Sequence, residues 1–493
     1  MTDTRPVHLL TYAERLGGDL AGVARLLDGP LSDFGGVHLL PFFVPFDGDD
    51  AGFDPVDHAS VDPRLGTWDD VRTIAADREV TADLIVNHVS SGSAEFADWL
   101  ERQELSPHDG MFLTFDTVFP DGASEAAITA FYRPRPGLPF TAYRAADGRR
   151  RLVWTTFMPS QVDLDVRHPA AVAYLERLLR TLADGGVTTV RLDAVGYAIK
   201  TPGSDSFMTD ETLAFVRDIT ALARRHGLRV LVEVHAHYSQ QLAIAPLVDL
   251  VYDFALPALL LHSLGTGTVD RLTEWFAIRP VNAITVLDTH DGIGIIDAGP
   301  SAESPGLISH DEMAAIFERA SVATVGHSDI ASVIPAWMTL PHQINATFFS
   351  ALGADPTAYL LCRAVQMFVP GVPQIYYVGL LGGEDDTALF EQTGQGRDVN
   401  RHTYSPDEFE RALGEPVAQA ILGLVRLRSR HPAFDGEFDY ETASDGALSM
   451  RWIHDASTAR LDIVTGPTPS FVVTLTGDEG ERRFDSVEAL ALL

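Results

Sequence analysis

Residues 188–196 read TTVRLDAVG and residues 229–235 read RVLVEVH. Each is a short apolar run with isolated charges, and a stretch of helical period, Glu211 to Arg225, lies between them. Strand, helix, strand is how parallel strands are joined by a crossover. Outward from this unit the rhythm repeats. Further apolar runs stand at 7–13 (VHLLTYA), 37–43 (VHLLPFF), 80–88 (VTADLIVNH), 249–257 (DLVYDFALP), 282–291 (NAITVLDTHD) and 372–379 (VPQIYYVG), with helical patterns at Tyr174 to Leu182 and Val269 to Phe276. The sequence therefore predicts an α/β fold in which eight parallel strands close into a (β/α)8 TIM barrel.

Two gaps break the rhythm. About a hundred residues separate the third run from the fourth, and about eighty the seventh from the eighth, far beyond an ordinary connection. Both follow the C-terminal end of a strand, the face on which this architecture builds active sites. They are expected to be inserted subdomains that wall a pocket. Beyond about Pro432, LSMRWIHD, ARLDIVTG and SFVVTLTG alternate with period two and predict a closing antiparallel β domain. The expected division is a barrel from 1–86, 167–292 and 355–433, inserted domains at 87–166 and 293–354, and a C-terminal β domain at 434–493.

The chain carries 36 basic and 69 acidic side chains, a formal net charge of −33. Such a surface repels nucleic acid and anionic membranes, and neither is an expected partner. Lys200 is the one lysine, so any anion site must draw on Arg, His, backbone N–H groups or Lys200 itself. Cys362, the one cysteine, sits in the apolar run Tyr359 to Val369 and is expected in the core. The opening MTDTRPVHLL lacks a basic region followed by a long apolar stretch, and no segment approaches the roughly 18 apolar residues that span a membrane. A cytoplasmic protein, monomer or homodimer, is expected.

Arg191 and Asp193 are two apart in the fourth run, so both point to one side of a strand. The guanidinium would keep the carboxylate ionised, as a glycosyl nucleophile requires. Glu233 in the fifth run is flanked by Leu231, Val232 and Val234, and apolar surroundings favour the protonated form of a carboxyl group. Opposed environments of this kind assign nucleophile and acid. His290 and Asp291 end the seventh run, and Asn87 and His88 the third. Together they suggest double displacement: Asp193 attacks an anomeric carbon, Glu233 protonates the leaving oxygen, and an acceptor activated by Glu233 resolves the β-glucosyl-enzyme with retention.

DLIVNH, VRLDAVG, LVEVH and VLDTHD resemble, in order, the four signature regions of the α-amylase superfamily, glycoside hydrolase family 13. Residues 36–71, YRPRPGLPF (132–140), VYDFALPALLLHSL, VLDTHDGIGIID, PGVPQIYYVG and GRDVNRHTYS (396–405) are similar to stretches of its sucrose phosphorylase subfamily. The resemblance implies Asp193 as nucleophile, Glu233 as acid/base and Asp291 as transition-state stabiliser. It implies a glucose subsite of Asp50, His88, Arg191, His290, Asp291 and Arg401 beside an apolar platform of Phe53 and Phe157. Tyr197, Arg135 and Gln343 would line the acceptor subsite, with Arg135 and Arg401 suited to phosphate. The implied reaction is phosphorolysis giving α-glucose 1-phosphate, with a sugar and inorganic phosphate as small-molecule partners and no cofactor. Amylases often hold calcium through the position of Asn87; the phosphorylase branch is not expected to, so no metal is expected.

One departure bears on the substrate. The subfamily carries LDLYQVN in its acceptor loop, where this chain has TLPHQIN (339–345). Leu340 replaces the acidic residue and His342 the tyrosine, which makes the pocket more favourable to anions. The expected substrate is therefore sucrose 6F-phosphate, its 6-phosphate clamped by Arg135 and His342. Alternatives are plain sucrose, glucosylglycerate or glucosylglycerol, a hydrolase or transglucosidase on the same barrel, and a catalytically dead binding protein.

Overall fold

Strand β1 is His8–Thr11, β2 Gly36–Leu39, β3 Glu79–Ile85, β4 Thr189–Asp193, β5 Arg229–Val232, β6 Leu250–Asp253, β7 Ala283–Thr285 and β8 Val372–Tyr376. Nearly every residue in them is buried, on both faces of the sheet, which is why they read as continuous apolar runs. A computed structural model describes residues 7–48, 50–133, 137–302, 304–332, 340–443, 446–477 and 480–493. The eight strands form a closed barrel in the order β1, β8, β7, β6, β5, β4, β3, β2. Parallel register pairs Arg191 with Asp83 of β3 and with Leu231 of β5.

The crossover helices are α1 (Leu20–Asp28), α2 (Trp68–Ala75), α3 (Pro169–Asp184), α4 (Asp210–Arg225), α5 (Tyr238–Ile244), α6 (Ala255–Thr266), α7 (Asp270–Ile278), α8 (Pro356–Phe368) and α9 (Pro416–Arg430). Caps start them where the sequence offers short polar side chains. Asp19 accepts from Gly22 N, and Thr209 from Thr212 N. Among the described residues no helix is long and apolar enough to cross a membrane.

The segment after β3 carries its own core of Leu113, Val118, Phe119, Phe131 and Trp154, beside a hairpin of Phe140–Arg144 and Arg150–Trp154. The segment after β7 carries a helix, His310–Ala323. The C-terminal antiparallel sheet has five strands, β9 (Glu437–Thr442), β10 (Ala447–His454), β11 (Ser457–Val464), β12 (Ser470–Gly477) and β13 (Gly480–Phe484). Its buried side includes Met450, Trp452, Leu461, Ile463 and Val473, and Trp452 Nε1 donates to Phe368 O of α8 at 2.6 Å. The chain groups into two compact units, one of Met1–His38, His235–Ala245 and Val251–Leu493, the other of Leu39–Val234 and Pro246–Leu250.

β7 is shorter than its apolar run. It ends at Thr285, and the run's last residues leave the sheet. Asp288 turns inward to a fully buried pair with Arg363 at 2.9 Å, and Thr289 and Gly292 exchange two 3.1 Å backbone hydrogen bonds. His290 and Asp291 therefore sit on a tight turn. Gly292 has φ 109°, and a Cβ there would lie 2.5 Å from Ile344 O, so only glycine fits.

Asp385, half-buried after β8, accepts from Thr347 N at 2.7 Å at the start of the helix Phe348–Ala351. Burial pushes its carboxyl up to about 6. The folded chain thus holds this proton more tightly than the unfolded one, and the group's contribution to stability falls as pH rises from about 4 to about 6. Asp385→Asn, neutral throughout, is expected to gain on the parent by about 1–3 kcal/mol between pH 4 and pH 7.5, read from urea midpoints. A pH-independent difference would contradict this.

Candidate active site

Within the unit that contains β3 to β5, one guanidinium organises the charges. Arg191 is 2% exposed and donates from Nη1 to Asp83 at 2.5 Å and to Asp193 at 2.9 Å. Its Nη2 lies 3.9 Å from Glu233 Oε2. The sequence showed Arg191 beside Asp193. Asp83 and the approach to Glu233 are added by the structure, so the acid candidate has a cation near it as well as apolar neighbours. Asp193 ends β4, and Ala194 follows in a left-handed conformation, φ 55°, a strained backbone of the kind found at functional sites.

Around this cluster stand the other residues expected in the unit. Arg191 lies over the Phe53 ring at 5.5 Å. His88 Nε2 faces Phe53 O at 3.1 Å, and its ring meets Phe157 at 5.4 Å. Burial holds the His88 imidazole below its usual range, in a neutral form suited to hydroxyl groups. Phe157 packs edge-on against Tyr197 at 5.1 Å. Asp50 accepts from Gln161 Nε2 at 2.6 Å. Tyr197, Tyr132 and Arg133 line a small, partly open pocket with Lys200 at its wall. Arg135 lies outside the described residues.

Lys200 is buried, and its ammonium sits 2.8 Å from the Asp163 carboxylate and 3.0 Å from Asn87 Oδ1, with a further bond to Tyr197 O. Asn87 and Asp163 thus already hold a cation, the only lysine of the chain. This donor set does not fit a calcium ion, because both oxygens face the ammonium.

The other unit holds a second group. His290 Nε2 is 3.5 Å from Asp291 Oδ2. Arg401 Nε donates to His290 O at 3.0 Å, and its Nη2 is 4.0 Å from Asp291 Oδ1. Tyr12, buried, meets His290 edge-on at 6.0 Å and lies under the guanidinium groups of Arg15 and Arg401. Arg397 Nη1 pairs with Asp291 Oδ1 at 2.7 Å. Gln343 donates to Asp291 O, and its residue pairs with Gly294 in a short antiparallel ladder. His342 O accepts from Ile295 N and Ile296 N. Burial and the neighbouring His235 hold the His342 imidazole below its usual range despite Asp297.

Tyr12, Asp83, Asp163 and Arg397 escaped the sequence reading. Asp83 had a signal, a charge inside an apolar run; its place opposite Arg191 comes from the parallel register. The others become visible only through contacts distant in sequence.

The α-amylase catalytic-domain family matches residues 2–240. A sucrose phosphorylase from Agrobacterium vitis is 47% identical over 96% of this chain and 97% of its own. One from Bifidobacterium adolescentis is 44% identical over 98% of both. The crystal structure of a sucrose 6F-phosphate phosphorylase from Thermoanaerobacter thermosaccharolyticum superposes with TM-score 0.92 at 34% identity, covering 99% of this chain and 98% of that one.

Proposed function

The chain belongs to the sucrose phosphorylase family, disaccharide phosphorylases of glycoside hydrolase family 13, and from that premise we propose that it moves the glucosyl group of sucrose to inorganic phosphate with retention. The observation that carries the reading is Arg191 between Asp193 and Glu233. Two carboxyl groups addressed by one guanidinium suit the short separation of a retaining pair, about 5 Å. Asp193 attacks C1 as Glu233 gives its proton to the glycosidic oxygen, and fructose leaves. A phosphate oxygen then attacks C1 of the β-glucosyl-enzyme, passes its proton to Glu233 and frees the Asp193 carboxylate. The product is α-glucose 1-phosphate. Asp291, with His88 and His290, takes the sugar hydroxyls as the ring distorts.

Two relatives above 40% identity, both named sucrose phosphorylase, support plain sucrose as donor. A second reading, sucrose 6F-phosphate, is favoured by Leu340 and His342 in the acceptor loop and by the crystal structure above. The lowered basicity of His342 weighs against it, since at neutral pH the ring offers a hydrogen bond and not a charge. With each sugar supplied separately at equal concentration in phosphate buffer, kcat/KM for sucrose is expected to equal or exceed that for the phosphorylated sugar at pH 7.5. A strong preference for sucrose 6F-phosphate, growing as pH falls and His342 takes up its proton, would establish the second reading.

A further inference from the structure

Asn345 ends the acceptor loop, and both ends of its buried side-chain amide are engaged. Its Nδ2 donates to Ala331 O at 2.7 Å, and its Oδ1 accepts from Gln343 Nε2 at 3.0 Å. Its backbone N–H donates to Ser332 Oγ at 3.0 Å. The same Gln343 Nε2 donates to Asp291 O. Gln343 and Ile344 pair with Gly294 and Ile293 in the antiparallel ladder, and a Cβ on Gly292 would lie 3.3 Å from Asn345 Oδ1. The segment is packed directly on the turn that carries Asp291.

These contacts fix which way two amides face. Ala331 O can only accept, so it meets the NH2 end of Asn345. Asn345 Oδ1 then faces Gln343, and together with Asp291 O it presents two acceptors to one NH2 group. Both N–H bonds of the Gln343 amide are thereby committed to the protein. Turning that amide over would lose both hydrogen bonds and set its oxygen against two others. No described residue bonds Gln343 Oε1, so this half-buried amide offers a ligand its oxygen alone.

We propose that Asn345 is a positioning residue for acceptor choice: it holds the Gln343 amide so that the oxygen is free to take an O–H group of fructose, while the N–H bonds are withheld from phosphate. The inference rests on the phosphorolytic reading above. It gives the two acceptors opposite dealings with one side chain. A sugar hydroxyl donates to the amide oxygen, whereas an ionised phosphate oxygen, itself an acceptor, gains nothing from it.

The test compares Asn345→Ala, Asn345→Asp and Ser332→Ala in the full chain. KM for phosphate is measured in sucrose phosphorolysis, and KM for fructose in the reverse synthesis from glucose 1-phosphate. Asn345→Ala is expected to raise KM for fructose about tenfold, the size of one hydrogen bond, while KM for phosphate stays level or falls because a released N–H can meet the anion. Asn345→Ser, which also cannot reach Gln343, serves if the alanine variant does not fold. Asn345→Asp keeps an oxygen for Gln343 and should hold the parent's ratio of the two constants. Ser332→Ala loosens the same segment without freeing either amide, and should hold that ratio too. A parallel rise of both constants in Asn345→Ala, or an equal shift of the ratio in Ser332→Ala, would mark a plain structural anchor and overturn the inference. An unchanged KM for fructose would also overturn it. A parent enzyme that cleaves sucrose without forming glucose 1-phosphate overturns the phosphorolytic reading, and the Asn345 role with it.

Discussion

Asp193→Asn is expected to lower kcat for glucose 1-phosphate formation on the order of 10⁴-fold or more, the scale on which removal of a covalent nucleophile acts. The substitution keeps the shape of the side chain and leaves an oxygen for Arg191 Nη1, which now lies 2.9 Å from it. Asp83 still neutralises the guanidinium, so the barrel should hold. Fructose release in a single turnover separates the cases. If the nucleophile is lost, both the fructose burst and the glucose 1-phosphate disappear. A variant that retains even a few per cent of the burst would remove Asp193 from the role.

The second large effect is on stability. Lys200→Met is expected to destabilise the fold by about 3–5 kcal/mol, because it leaves the buried Asp163 carboxylate without its countercharge. Asp163 is fully buried; its remaining donors include Thr156 N at 3.0 Å and Thr156 Oγ1 at 2.5 Å, neither of them charged. Urea midpoints measure the loss. The double variant Lys200→Met with Asp163→Asn should recover much of it, since both charges are then gone. A single-variant loss below about 1 kcal/mol, or no recovery in the double variant, would mean the ammonium is dispensable.

The chemistry was legible in the sequence where it lies on strands. Arg191 and Asp193 share a parity that a strand turns into a shared face, and the structure keeps them 2.9 Å apart. The barrel was legible because strands buried on both faces leave short apolar runs, and stretches of helical period stand between them. The outer strands of the C-terminal sheet were not legible. EFDYET and GERRF are mostly exposed and charged, as edge strands are; the first alternates only over Phe438 and Tyr440 and the second not at all. The early end of β7 depends on Arg363, 75 residues away from Asp288, which no local pattern announces. Tyr12 and Arg397 reach His290 and Asp291 in the same way, through the packing of loops distant in sequence.

The central claim is retaining transfer to phosphate, and the identity and anomeric form of the first product test it most directly. Proton and phosphorus NMR should be recorded on sucrose and the enzyme in phosphate buffer from the first minutes. The account predicts α-glucose 1-phosphate as the first glucosyl product, at a rate that rises and saturates with phosphate. The β anomer, or free glucose at a rate indifferent to phosphate, would contradict it.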